Sequence, residues 1–176
     1  MKNIFICIFS LVLLASCKKE VTELPEATQT GANTFGAKIN GVFWAPQGFG
    51  PFPANDILEA RMAGRDITIN ARNFSASPNE TEFQLTIYNV TTPGNYNLNT
   101  NVVHPNGAAS YGYYVKRNFT PSNEWLTSST YIGRVVITRI DELNMIVSGT
   151  FEFNAGSIYN SDVINVTEGR FDLKIN

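Results

Sequence analysis

The last eight residues, "GRFDLKIN", alternate apolar and polar side chains without a break. Phe171, Leu173 and Ile175 take one phase, and Arg170, Asp172, Lys174 and Asn176 take the other. A period of two places the two sets on opposite faces of an extended strand. The same period runs through "TEFQLTIYN", where Phe83, Leu85 and Ile87 are in phase, and through Ile67, Ile69 and Ala71. Outside the first 16 residues no window repeats apolar residues at i, i+3, i+4 and i+7 for three turns, so helices are not expected. The 20 Asn, 13 Gly and 8 Pro point the same way, since all three favour turns and disfavour helix interiors.

The clearest turn is Asn40-Gly41 inside "FGAKINGVFW". A two-residue hairpin of this kind needs positive φ at both positions, which Asn and Gly tolerate best. It predicts Ile39 opposite Val42 and Ala37 opposite Trp44, with Trp44 covering a small residue in the core. A second hairpin is predicted for residues 57–63 and 66–72 around Gly64-Arg65. "SYGYYVKRNF", "TYIGRVVITRI" and "MIVSGTFEFN" supply further strands, the last two joined at Asp141-Glu142-Leu143-Asn144. Met145, Val147, Phe151 and Phe153 are expected on one face, with Gly149 as the gap between them. The loop "APQGFGPFPAND" and the Asn-rich "TTPGNYNLNTNVVHPNG" read as connections. One wet face per strand fits an all-β, antiparallel β-sandwich of about nine to ten strands, with a closed or partly open β-barrel as the alternative.

The amino terminus carries a different signal. Lys2 precedes an apolar run from Ile4 to Leu14, which is shorter than the roughly 20 residues that span a bilayer. Leu14-Ala15-Ser16-Cys17 follows and resembles the lipobox of bacterial lipoproteins. The resemblance implies removal of residues 1–16 and acylation of Cys17 on both its thiol and its new amine. Each buried methylene contributes about 0.8 kcal/mol, and two or more chains hold a protein stably in a bilayer. Cys7 would leave with the signal and Cys17 would become a thioether, so no thiol nucleophile or thiolate metal site is expected. Lys at position 18, where an Asp would mark inner-membrane retention in enteric-type sorting, implies the outer membrane. Lys18-Lys19-Glu20 with Glu23 also resembles the short charged surface-export signal of Bacteroidetes lipoproteins, and the sequence leaves periplasmic and cell-surface faces open. Residues 17–34 read as the acylated Cys and a flexible tether, and residues 35–176 as one folded domain, a usual length for one.

Several motifs in this order resemble the small envelope lipoprotein domains of unknown function common in Bacteroidetes. They are "FGAKINGVFW", "PGNYNL", "VVITRID" followed by "SGTFEFNA", and "VTEGRFDLK". The resemblance spans about residues 35–176 and implies an all-β envelope lipoprotein with no activity to transfer.

The formal net charge is -2, from 13 basic and 15 acidic residues, with no basic block, so nucleic acid is not an expected partner. His104, in "VVHPNG", is the single histidine, which excludes a histidine metal cluster, and no G-x-S-x-G frame is present. It reads as a solvated turn residue. Glu59, Glu82, Asp141, Glu152 and Asp172 are candidates for a glycosidase pair, though Glu82, Glu152 and Asp172 lie on the polar phase of their strands, as solubilising charges do. "GNYNLNTN" and "NAGSIYNSD" carry oxygen donors suited to Ca²⁺, yet Asn-rich turns already account for them. No cofactor is expected. The sequons at Asn73, Asn79, Asn89, Asn118 and Asn165 follow from Asn and Thr content. Tyr111, Tyr113, Tyr114 and Trp125 form the candidate ligand platform, within a dense aromatic stretch that also holds Phe119 and Tyr131. Such rings serve sugar faces and protein contacts when exposed, and fill a core when not. Phe49-Gly50-Pro51-Phe52 is a second exposed apolar candidate. The expected role is a non-catalytic binding or structural accessory module, held to the membrane through Cys17, with a glycan, a peptide or an envelope protein as partner.

Overall fold

The computed structural model describes residues 21–48, 57–75, 79–117 and 123–176, and among these there is no helix. Eleven strands form: β1 (Thr34–Ile39), β2 (Val42–Trp44), β3 (Leu58–Ala63), β4 (Asp66–Asn73), β5 (Thr81–Ile87), β6 (Gly94–Asn97), β7 (Tyr111–Lys116), β8 (Glu124–Leu126), β9 (Gly133–Asp141), β10 (Ile146–Ser157) and β11 (Val163–Lys174). β6 and β8 bring the count above nine to ten. Both are short and lie in stretches that read as polar connections, because three or four residues give too little alternation to detect.

All named strand pairings are antiparallel, and the strands form one curled sheet in the order β2-β1-β11-β10-β8-β7-β5-β4-β3. β10 is the corner. Its residues Ile146–Phe153 pair with β9, whereas Gly156 and Ser157 pair with β8. β9 in turn holds β6. The curl brings β3 back to β11, where a parallel bridge joins Ala60 to Ile175 and the Asn176 N–H donates to the Ala60 carbonyl at 2.8 Å. A second bridge, Gln47 to Asn73, ties the chain after β2 to the end of β4. The result is a half-barrel whose walls face each other across one core, as in a sandwich.

The hairpin registers follow the sequence. Ala37 lies opposite Trp44 and Ile39 opposite Val42, and both turn residues have positive φ, 49° at Asn40 and 82° at Gly41. Ala63 pairs with Asp66 across Gly64-Arg65. Phe83 sits at the centre of the core. Its ring centroid is 4.7 Å from that of Trp44, 4.8 Å from Tyr114 and 5.7 Å from Phe35. Phe151 and Phe153 close the set at 6.2 Å each. Gly149 provides the expected gap: a Cβ there would stand 2.4 Å from the Val136 carbonyl and 2.7 Å from the Phe171 ring. Met145 leaves the predicted face. It turns the chain into β10 at φ 52° and is exposed, because a two-strand turn ends the alternation there.

Two expectations about the amino-terminal segment change. Residues 24–33 do not hang free; they form a strap across the outer face of β1, β11, β10 and β9. Asp172, predicted outward and solvated, is outward but only 1% exposed, because the strap covers it. One carboxylate oxygen accepts from Thr28 Oγ1 at 2.6 Å, Thr30 N at 2.8 Å, Ala32 N at 3.1 Å and Thr30 Oγ1 at 3.3 Å. The other accepts from Gly31 N at 2.8 Å and Ser148 Oγ at 2.7 Å. Arg170 donates to the Pro25 carbonyl at 3.2 Å, Arg139 donates to the Gln29 carbonyl, and the Lys174 N–H donates to Asn33 Oδ1 at 2.9 Å. Burial disfavours the charged carboxylate, but the donors around it outweigh burial and hold Asp172 below the usual carboxylate range.

Two outcomes follow for stability. Phe83→Ala removes a ring enclosed by five aromatic neighbours and should lower unfolding stability by about 3–5 kcal/mol in urea titration; a loss under about 1 kcal/mol would contradict the central packing. The depressed proton affinity of Asp172 makes its contribution complete above about pH 4 and progressively lost as pH falls below that. Asp172→Asn should therefore flatten the acid limb of the stability profile, and an unchanged limb would refute the assignment.

Candidate functional site

β7 distributes the predicted aromatic platform over two faces. Tyr114 points inward and packs on Phe83 and, at 5.8 Å, on Trp125. Tyr111 and Tyr113 point outward with Val115, but this outer face is not wet. The connection 98–110 folds over it, and Val102 packs against the cluster of Tyr111, Tyr113, Val115 and Leu126. The exposures are 0% for Tyr111, 5% for Tyr113, 2% for Tyr114 and 6% for Trp125. The expected exposed platform is thus corrected. Trp125 does not sit in a polar loop; it belongs to β8 and pairs with Tyr114 across the ladder. Lys116 Nζ stands 5.8 Å from its ring centroid, and its Nε1 has no hydrogen-bond partner among the described residues. Burial pushes the Tyr114 hydroxyl up to about 12.

His104 fastens that cover and is half-buried rather than solvated. Its ring stacks on Tyr113 at 3.7 Å with an interplanar angle of 8°. Its Nδ1 lies 3.3 Å from the Tyr111 hydroxyl. That hydroxyl already accepts from Gln84 Nε2 at 2.8 Å and from Asn106 N at 3.3 Å, so its own proton is available to Nδ1. The arrangement suits a neutral imidazole with an unprotonated Nδ1. Burial lowers the proton affinity of His104, with Arg117 acting in the same direction against Glu124 and Glu82. Glu124 binds the rim, accepting from Tyr113 at 2.8 Å and from Tyr159 at 3.1 Å. Burial and this bond to Glu124 hold the Tyr113 hydroxyl well above its ordinary range.

The five carboxylates proposed for acid–base work are engaged elsewhere. Glu82 lies between Arg117 at 2.7 Å and Arg72 at 3.4 Å. Glu59 pairs with Arg61 at 2.6 Å, Asp141 with Arg139 at 2.6 Å and Glu152 with Arg134 at 2.7 Å. Hydrogen bonds from Asn144 and Arg139 bring Asp141 down to about 2. Asp172 holds the strap. Among the described residues no group of three or more His, Cys, Asp or Glu side chains is arranged to hold a metal. In the Asn-rich turns the side chains serve local geometry, as where Asn160 Oδ1 accepts from Asp162 N at 2.8 Å.

A concavity lies where the curled sheet meets itself. A cleft of about 490 Å³ opens between β1, β3 and β11, over Phe35, Ala60 and Leu173, with Asn33, Lys174 and Asn176 at its rim. An apolar floor with a few polar rim groups is the usual composition of a ligand pocket. Sequence reading missed this cleft because it is made by three distant segments. It missed Asp172 because a buried charge and a surface charge look alike in an alternating strand. Cys17, Phe49, Phe52 and Phe119 lie outside the described residues.

A family model, the domain of unknown function DUF6252, matches residues 32–173. No curated protein and no solved structure matches the chain.

The stack on Tyr113 yields a pH dependence. A docked ring that binds protons less readily than a free one keeps the cover at full strength above the free value of 6.5 and weakens it as pH falls below that. NMR titration of His104 should give a midpoint below 6.5, and amide protection factors in residues 101–110, taken relative to the intrinsic exchange rate at each pH, should fall on acidification. A midpoint at or above the free value would contradict the docking.

Proposed function

The chain belongs to the family of the domain of unknown function DUF6252, and on that footing we propose that it is a lipid-anchored, non-catalytic accessory module of a bacterial outer membrane. The observation that carries the proposal is the sequence Leu14-Ala15-Ser16-Cys17 behind a short apolar run led by Lys2. Lys18 supports the outer rather than the inner membrane, and the likeness to Bacteroidetes envelope domains supports a source of that kind. The absence of catalysis is supported by what the candidate groups do instead. His104 is stacked, Glu82 is shared by two arginines and Asp172 is saturated with donors.

A capture role is a second reading, and one observation favours it. The seam cleft has the size to take a glycan or peptide end, and its half-buried apolar lining of Pro46, Ile57 and Leu58 takes the place of the buried Trp125 and Tyr113 as the recognising surface.

Metabolic labelling with palmitate tests the anchor. The wild-type chain should carry label and sediment with outer-membrane fractions, whereas Cys17→Ser should be unlabelled and soluble. A wild-type chain with a free Cys17 thiol, or one starting further along, would overturn the proposal.

A further inference from the structure

The strap determines where the acyl chains meet the folded body, and this inference rests on the anchor proposed above. Leu24 and Pro25 lie on the outer face of β1, directly over Gly36. A Cβ at Gly36 would stand 2.7 Å from Pro25 Cδ and 3.3 Å from Leu24 Cδ2, so only a glycine lets the strap lie this close. From there the strap is held to its end by Arg170, Arg139, Asp172 and the Lys174 N–H. Between Cys17 and Leu24 only residues 18–23 remain. Seven chain steps reach at most about 25 Å and span roughly 15 Å on average. Were residues 24–33 free as well, seventeen steps would reach up to about 60 Å.

We infer that the outer face of β1, β11 and β10 is the surface turned towards the membrane, held over the lipid headgroups by the docked strap. Tether length imposes this, not attraction. On that face Lys38 is paired with Glu168 at 2.6 Å and Arg134 with Glu152 at 2.7 Å, so neither of these two offers the headgroups an unmatched charge. The opposite side, including the cover over Tyr111 and Tyr113, faces away from the bilayer, while the seam cleft opens beside the anchored edge. Asp172 thus sets the orientation of an anchored domain as well as its stability.

The test uses the full acylated chain on phosphatidylcholine vesicles with a headgroup-bound acceptor dye. A donor dye is placed at Thr150→Cys, on the outer face of β10, or at Ala108→Cys, on the segment over β7. Acylation removes the native thiol, so each introduced cysteine is unique. Energy transfer from position 150 should exceed that from position 108 by about threefold, at low and high salt alike. Asp172→Ala should bring the two close to equality. Gly36→Val, which lifts Leu24 and Pro25 but leaves the carboxylate latch in place, should lengthen the tether and narrow the difference without abolishing it, with folding of both variants checked by the fluorescence of Trp44 and Trp125. Equal transfer in the acylated wild type, a difference undiminished in both variants, or one that vanishes in salt would overturn the inference. Mass spectrometry of the same sample reads the anchor separately: an unacylated Cys17 refutes the anchor and the orientation together, while equal transfer on an acylated chain refutes the orientation alone.

Discussion

Six donors converge on the carboxylate of Asp172, and five of them come from the strap between Thr28 and Ala32, counting both groups of Thr30, with Ser148 completing the shell. Three of the six are backbone amides of a segment with no strand partner. Without the carboxylate these donors would have to find water beneath a covered surface, which costs about 1–3 kcal/mol for each one left unmade. A buried charge is expensive in isolation, but fully surrounded by donors it becomes the preferred state, and its partners lose their freedom to leave. The strap therefore behaves as part of the sheet, although nothing in its own sequence is regular.

The sheet beneath the strap depends on one long strand. β10 pairs with β11 along one side and is shared between β9 and β8 along the other, with register shifts between Ser148 and Gly149 and between Phe151 and Phe153. Such irregularities bend a strand and increase its local twist. The bend turns β8, β7, β5, β4 and β3 back across the core, where Phe83 meets Phe35, Phe151 and Phe153 from the opposite wall. Closure needs little more than the Ala60–Ile175 bridge, because the aromatic interior already holds the walls together. The cleft beside that bridge is the cost of a curl that stops short of a complete barrel.

Most of the strand framework was legible in the sequence, because a period of two is a property of the strand alone. Ile67, Ile69, Phe83, Leu85, Phe171 and Leu173 are buried as their phase demands. The Asn40-Gly41 turn set the register of Ala37 against Trp44 for the same local reason. What stayed hidden depends on partners far along the chain. Tyr111 and Tyr113 lie on the outward phase, and only the fold of residues 98–110 over them makes that face a second small core. Trp125 stood in a polar context, yet three residues of β8 suffice to place it against Tyr114. Asp172 is 144 residues from Thr28, and no local pattern signals that they meet.

The account stands or falls on whether the strap is bound as tightly as its hydrogen bonds require. Native-state hydrogen exchange at the amides of Thr30, Gly31 and Ala32 reads this directly. These amides lie in a segment without secondary structure, so protection can come only from the Asp172 carboxylate and the covering around it. Protection factors close to those of the core strands β10 and β11 are the predicted result. Exchange at the rate of an unstructured peptide would show an unlatched strap and contradict the account.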